Sequence, residues 1–183
     1  MMMERIRREH SYMVRLLAVL KQNIAQLQAE KFINYSLVKE VVDYLANHSE
    51  RVHHPKEDIL YNYYMEHYGH KQELENLEHE HEVLSDKTHT FLNTVEMILQ
   101  DAVVPQDMFV KQLEEFILAQ KRHLEIEERF ILPLIEKSFN LHDWQEVEKL
   151  WSVGESDPVF GDTIAEEYQQ IANRVRQGEQ DCV

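Results

Sequence analysis

Residues 4–29 read ERIRREHSYMVRLLAVLKQNIAQLQA, and a stripe of mostly apolar residues runs through this stretch at alternating steps of four and three. Residues three and four apart lie on one face of a helix, so this spacing is typical of a helix that packs along the seam of a bundle. We therefore predict a helix over residues 4–29. Its inward stripe is Ile6, His10, Met13, Leu17, Leu20, Ile24 and Leu27.

Three further segments have the same periodicity, and short breaks with glycine or proline separate them. We predict helices over residues 36–67, 71–100 and 106–138. Short connections join antiparallel neighbours, so the sequence predicts an all-α fold, an up-down-up-down four-helix bundle. The stripe of the fourth helix is Phe109, Leu113, Phe116, Gln120, His123, Glu127, Phe130 and Leu134.

The rest of the chain predicts a helical C-terminal extension that packs on the bundle. Shorter amphipathic segments occur at residues 144–151 and 163–176, with glycine and proline between them. We therefore divide the chain into a bundle, residues 1–140, and an extension, residues 141–183.

Charge and composition exclude several classes of function. The chain has 34 acidic and 19 basic residues, a net charge of −15, which argues against binding to nucleic acid or to an anionic membrane. No apolar run is long enough to span a bilayer, and none follows the basic N-terminal residues as in a secretory signal. The single cysteine, Cys182, excludes a cysteine-based zinc site. We expect a cytoplasmic protein.

Histidine and glutamate interrupt the otherwise apolar stripes at one level of the predicted bundle. His10 and His81 each lie 19 residues before the end of their predicted helices, and helices one and three run in the same direction. Helices two and four run the opposite way. Their inward histidines, His53 and His123, each lie 17 residues after the first residue of the predicted helix. At ~1.5 Å per residue, the four histidines share one layer to within about 3 Å.

Two glutamates, Glu57 and Glu127, each follow an inward histidine by four residues and so lie on the same helix faces. A single inward histidine is usually a hydrogen-bonded core residue, and a single His–Glu pair is usually solvated. Two buried carboxylates in one layer would cost several kcal/mol each without cations. The pattern predicts a metal centre, with the candidate ligands His10, His53, Glu57, His81, His123 and Glu127.

Nitrogen and oxygen donors without thiolate suit iron, manganese or zinc. Six donors exceed the needs of one tetrahedral zinc ion, so we predict two metal ions bridged by Glu57 and Glu127 and by an oxide or hydroxide. An open position on such a pair would bind a diatomic molecule or peroxide. Without metal, we expect repulsion between the two glutamates to raise the pKa of one of them.

The remaining histidines are predicted to lie outside this centre. His79 is two residues from His81 and points away from the core. His54 is one residue off the stripe of His53; it could lie beside the ligands, but we expect it at the surface. We expect His48 at the surface or at a helix end.

The residues around these ligands match motifs of one family. They are Arg8-Glu9-His10, His53-His54-Pro55-Lys56-Glu57, Glu80-His81-Glu82, and the run from His123 to Glu128, HLEIEE. In this order the motifs resemble the hemerythrin-like HHE cation-binding family, in particular its bacterial members with six ligands. The resemblance implies a non-haem di-iron centre held by the six residues above. It also implies a role in sensing iron or oxygen, in handling nitric oxide, or in repairing damaged iron centres.

One difference from the oxygen-carrying members bears on function. Those proteins have two histidines four residues apart on the third helix, whereas Leu77 and Ser85 flank His81 at that distance here. With four inward histidines we expect an open position on both ions, which does not suit a reversible oxygen carrier.

Two other hypotheses remain open. The spacing Glu-x-x-His occurs at Glu50 and His53 and again at Glu78 and His81, as in ferritin-like di-iron oxidases. That fold expects a single inward glutamate on each of the other two helices, which these helices do not offer. A metal-free interaction bundle is the third hypothesis.

Overall fold

A computed structural model describes residues 2–151, 157–160 and 165–180, without the side chains of residues 49, 50, 78 and 178–180. All regular secondary structure within these residues is helical, so the all-α prediction is confirmed. The α-helices are α1 (Met2–Gln28), α2 (Tyr35–Tyr44), α3 (His54–Tyr68), α4 (Gln72–Leu99), α5 (Gln106–Ile126), α6 (Leu132–Ser138), α7 (Leu141–Leu150) and α8 (Gln169–Gln180). Leu45–His53 and Glu127–Ile131 are π-helical, and Glu166–Tyr168 is a 3₁₀ turn.

These helices form four long rods. Rod 1 is α1, and rod 3 is α4. Rod 2 consists of α2, Leu45–His53 and α3, while rod 4 consists of α5, Glu127–Ile131 and α6. Rod 1 packs against rods 2 and 4, and rod 3 also packs against rods 2 and 4, so the rods form a four-membered ring.

Local sequence signals mark where the helices of the rods begin and end, close to the predicted positions. The side chain of Asn34 caps α2 by accepting a hydrogen bond from the backbone N–H of Leu37 at 3.2 Å. Gly69 ends α3 with a φ of 104°, a left-handed conformation that glycine adopts without steric cost. Pro105 precedes α5 and has no N–H to leave unpaired.

Rods 2 and 4 differ from the predicted continuous helices because each contains a π-helical segment. A π turn is closed by an i to i+5 hydrogen bond and holds one residue more than an α turn, so the residues that follow change their facing. Pro55 and Pro133 each lie in the first turn of the α-helix after such a segment, where a missing N–H is tolerated. Pro55 therefore lies where the helix type of rod 2 changes.

In rod 4, the residues that face the core after Glu127 differ from those predicted, because this part of the rod is π-helical. Phe130, predicted to face the core, has 65% of its surface exposed. Ile131 and Ile135 are buried instead. The extra residue in the turn after Glu127 moves the apolar face by one position.

The C-terminal extension packs on rod 2. Helix α7 contacts α3, while α8 and the preceding 3₁₀ turn contact α2. The predicted helix over residues 144–151 is observed as Leu141–Leu150, and the start of the predicted helix over residues 163–176 lies outside the described residues. None of the described helices is both long enough and apolar enough to cross a membrane.

Two clusters of buried apolar side chains fill the bundle, with a polar layer between them. On α1, Ile6 belongs to one cluster, Met13 belongs to the other, and the buried His10 lies between them. The polar layer is therefore covered by apolar side chains on both sides along the bundle axis.

Candidate metal centre

The structure brings the six predicted ligands together in this polar layer. All six are buried, and Glu57 and Glu127 have no exposed surface. Rod 1 contributes His10, rod 3 contributes His81, and rods 2 and 4 each contribute a His–Glu pair. Their role as ligands remains a prediction.

In one half of the layer, two imidazoles face the same carboxylate. The Nε2 atoms of His10 and His53 lie 2.9 and 3.2 Å from Glu57 Oε1. His10 Nε2 also lies 3.5 Å from Glu127 Oε2, so it faces both glutamates. The two rings are 4.8 Å apart and meet edge to face.

The other half repeats this arrangement. The Nε2 atoms of His81 and His123 lie 3.4 and 3.1 Å from Glu127 Oε1. His81 Nε2 also lies 3.5 Å from Glu57 Oε2. These two rings are likewise 4.8 Å apart and edge to face. All four Nε2 atoms thus point towards the space around the two glutamates.

The opposite nitrogen of each imidazole, Nδ1, faces a second carboxylate. Such carboxylate contacts fix the tautomer and orientation of histidines that bind metals through Nε2. The pairs are His10 with Glu128 at 2.7 Å, His53 with Glu9 at 2.7 Å, His81 with Asp58 at 2.9 Å and His123 with Glu80 at 3.4 Å.

These four outer carboxylates link the rods in a closed ring. Each one is adjacent in sequence to a predicted ligand of its own rod, and each contacts the histidine of the next rod. Rods 1 and 2 repeat the pattern of rods 3 and 4, as in a two-fold arrangement. The equivalent positions are Glu9 and Glu80, His10 and His81, His53 and His123, Glu57 and Glu127, and Asp58 and Glu128.

Sequence reasoning did not identify the outer carboxylates. The available signal was an acidic residue directly next to each inward ligand. Such a residue is rotated by about 100° around the helix and so faces the neighbouring rod.

The expected rise in the pKa of one glutamate was wrong, because the pKa of both glutamates is lowered. Burial favours the neutral form of His10, yet its hydrogen bonds to Glu128 and Glu57 raise its pKa to about 10. The pKa of His81 is also raised to about 10, against the effect of burial, by Asp58 and Glu127. Burial and mutual repulsion would raise the pKa of Glu57, but the surrounding histidines hold it below its usual value. Neither glutamate is neutral, because protonated histidines balance both charges.

Several atoms of the layer fit a bound cation. Within the described part of the chain, four buried atoms make the ion contacts given above but no well-aligned hydrogen bond: His53 Nε2, His123 Nε2, Glu57 Oε2 and Glu127 Oε2. Buried polar atoms are rarely left unsatisfied, and metal ions would satisfy imidazole and carboxylate donors together. Imidazole and carboxylate donors without sulfur suit iron, manganese and zinc.

His54 is buried beside the layer, so its predicted surface position was wrong. Its ring stacks on that of His81, with centroids 4.1 Å apart and planes within 2° of parallel. The potential donor atoms of His54, Glu57, His81 and His123 all lie within 4.8 Å of one another. His79, by contrast, has 75% of its side chain exposed, as predicted.

His48 was predicted at the surface or at a helix end, and it is buried. Its ring stacks on Tyr44, and its Nε2 lies 3.3 Å from Asp157 Oδ2 in the C-terminal extension. The contact with the extension explains the burial, which the periodicity of the second helix alone did not indicate.

A tyrosine that sequence reasoning did not identify contacts the centre. The Tyr61 hydroxyl donates a hydrogen bond to Glu127 Oε1 at 2.6 Å. Burial and the neighbouring carboxylates raise the pKa of Tyr61, which keeps the phenol protonated as a donor. The Glu50 and Glu78 side chains, on which the oxidase hypothesis depends, lie outside the described residues.

A comparison with protein families agrees with the motifs of this layer. The family model of the hemerythrin HHE cation-binding domain matches residues 1–135. Searches of curated proteins and of solved structures found no significant match. The family match covers the four rods up to the middle of α6 and includes all six predicted ligands.

Proposed function

The chain belongs to the hemerythrin HHE cation-binding family, and from this premise we propose that it is a non-haem di-iron protein that interacts with oxygen, nitric oxide or peroxide. As a hemerythrin-like protein it binds metal ions, typically iron. The proposal adds the two-ion stoichiometry, the six ligands and the small-molecule role.

The observation that carries the proposal is the pair of carboxylate contacts at each histidine. An imidazole with a carboxylate at Nδ1 is set to offer the lone pair of Nε2 to a cation. Four such imidazoles converge on two fully buried glutamates. We assign His10 and His53 to one ion, His81 and His123 to the other, and Glu57 and Glu127 as bridges, together with an oxide or hydroxide.

When bound, the iron pair supplies redox electrons and a coordination position for a small molecule. The chain holds the imidazoles in place, excludes bulk water with its two apolar clusters, and places charged carboxylates around the layer. These features suit sensing, a stress response or iron handling, in which the centre responds to a small reactive molecule.

The second candidate is a di-iron oxidase or an enzyme that repairs iron centres. Tyr61 favours it, because an oxidisable phenol is hydrogen-bonded to the proposed bridging ligand Glu127. Aerobic turnover with ferrous iron or an organic reductant would support this candidate. A single round of oxidation without further turnover would support the first one.

The primary test is elemental analysis of protein purified without added metal, followed by anaerobic titration with nitric oxide and with oxygen. We expect two iron ions per chain and optical changes with both molecules. Manganese or zinc could replace iron during purification, so reconstitution with ferrous iron belongs in the same experiment. A protein that binds no metal after reconstitution would instead support an interaction bundle.

A matched pair of variants tests the ligand set. His81→Ala should lose at least half of the metal, because His81 is buried and faces both glutamates. His79→Ala should retain all of it, because His79 is exposed on the same helix. Normal metal content in His81→Ala would contradict the proposed ligands.

Location and partners remain predictions from composition. The net charge of −15 disfavours nucleic acid and anionic membranes as partners. We propose a cytoplasmic location, which cell fractionation would test.

A further inference from the structure

We propose that His54 is a seventh protein ligand, which binds the ion held by His81 and His123 and makes the two ions unequal. The inference rests on the proposed di-iron function and extends it. The ion at His81 and His123 then has three histidines, whereas the ion at His10 and His53 has two.

The first support is the position of the His54 ring. It lies parallel to the His81 ring at 4.1 Å and edge-on to the His123 ring at 5.9 Å. A donor atom of His54 lies within 4.8 Å of donor atoms of Glu57, His81 and His123. Metal–donor bonds are about 2 Å long, so two donors of one ion lie at most about 4 Å apart. Side-chain shifts of less than about 1 Å would bring these atoms into that range.

The second support is a break in the two-fold pattern of the layer. His53 in rod 2 corresponds to His123 in rod 4, so His54 corresponds to Leu124. Both residues are buried. Rod 2 therefore has a side chain that can bind a metal at this position, His54, whereas rod 4 has the apolar Leu124. Only His54 adds a donor atom.

The donor count shows the consequence. His54, His81, His123 and two bridging glutamates give one ion five protein donors, and a bridging oxygen completes an octahedron. His10, His53 and the same glutamates give the other ion four, so it keeps one position open after the bridging oxygen. Four inward histidines gave the expectation of an open position on both ions. With His54 as a fifth histidine, only one ion has an open position. A small ligand binds only at the ion of His10 and His53.

Mössbauer spectroscopy of protein reconstituted with ⁵⁷Fe tests this directly. The wild-type diferric protein should show two quadrupole doublets of equal area and different splitting, one for each ion. His54→Leu gives residue 54 the same side chain as its equivalent, Leu124. In this variant the quadrupole splittings of the two doublets should become similar. The converse variant, Leu124→His, should shift the other doublet towards the six-coordinate one.

Azide, an anionic probe of open iron positions, provides a second measurement. The wild type should bind one azide per iron pair, and His54→Leu should bind two. If His54→Leu does not fold, the wild-type spectrum and azide stoichiometry still decide, together with His54→Gln.

The outcomes separate this inference from the proposed function. A protein that does not retain two irons contradicts the di-iron proposal itself. Two irons with a single wild-type doublet, or with doublets and azide stoichiometry that His54→Leu leaves unchanged, overturn only the role of His54.

Discussion

Each of the four histidines that face Glu57 and Glu127 has a carboxylate at both ring nitrogens. The inner contact occupies the place where a metal would bind, while the outer contact orients the ring. Three of the outer groups are partly exposed, so they can hold their negative charge near solvent. Side-chain exposures are 37% for Asp58, 36% for Glu128 and 45% for Glu80, whereas Glu9 is buried with Lys56.

Removing one outer carboxylate should weaken metal binding without removing a ligand. Asp58→Ala deletes the acceptor for His81 Nδ1, and we expect the affinity for the ion at His81 to fall by about 10–100-fold. Competition with a chelator would measure this affinity. Asp86→Ala, which removes an exposed acidic side chain from α4, is the matched control and should leave it unchanged. Equal affinities in both variants would mean that Asp58 does not orient His81.

At the scale of the helix, periodicity predicted the four rods because their buried residues recur every three or four positions. It also predicted His10, His53, Glu57, His81, His123 and Glu127 as inward residues. It did not predict the two π-helical segments, since a uniform step of 100° per residue contains no extra residue. Phe130 was misplaced for this reason, because it lies within the second π-helical segment. His54 was misplaced because its ring stacks on His81 of the neighbouring rod, a contact that periodicity does not indicate.

A pair of alanine substitutions tests the register after the π segment of rod 4. Ile131→Ala should lower the free energy of unfolding by about 2–5 kcal/mol, because it removes buried methyl groups and leaves a cavity. Phe130→Ala should change it by less than about 0.5 kcal/mol, because Phe130 is mostly exposed. Urea unfolding would measure both. A larger loss of unfolding free energy from Phe130→Ala than from Ile131→Ala would contradict the π-helical segment and support an uninterrupted α-helix.

Helix α7 depends on Asp143, which makes the attachment of this helix sensitive to acid. Asp143 and Asn140 form a capping box, and the hydroxyls of Tyr63 and Tyr68 donate to the Asp143 carboxylate. Burial would raise the pKa of Asp143, but these hydrogen bonds lower it below 3.8. A lowered pKa stabilises the fold above the unfolded value, and this contribution is lost as the pH falls through the folded value.

We therefore expect Asp143→Asn to lower the melting temperature at neutral pH and the difference to shrink between about pH 5 and pH 2. Thermal melts monitored by circular dichroism across this range would measure it. A difference that stays constant with pH would show that the charge of Asp143 is not involved.

At the scale of the whole molecule, metal should stabilise the fold by mass action. Free metal at a hundred times its Kd adds about 2.7 kcal/mol to the free energy of unfolding, so chelation should lower the melting temperature. His81→Ala should respond less to the chelator. Equal melting temperatures of loaded and chelated wild-type protein would contradict a metal site in the core.

This stabilisation should grow as the pH rises. In the metal-free protein, the pKa values of His10 and His81 are raised to about 10. Their contribution to stability is complete below the unfolded value of 6.5 and is lost as the pH rises towards 10. Metal must displace these protons, so it binds more tightly at higher pH. Melts of both forms at pH 6 and pH 9 would measure the widening gap.

The repetition of the same contacts in rods 1 and 2 and in rods 3 and 4 has a consequence for assembly. Each half carries one Glu–His pair and one His-x-x-x-Glu followed by an acidic residue, and only residues 69–71 connect the halves. Two chains that exchanged their second halves across this short hinge would rebuild two complete centres, each with all its donors. Such a domain-swapped dimer would have twice the mass and the same metal content per chain.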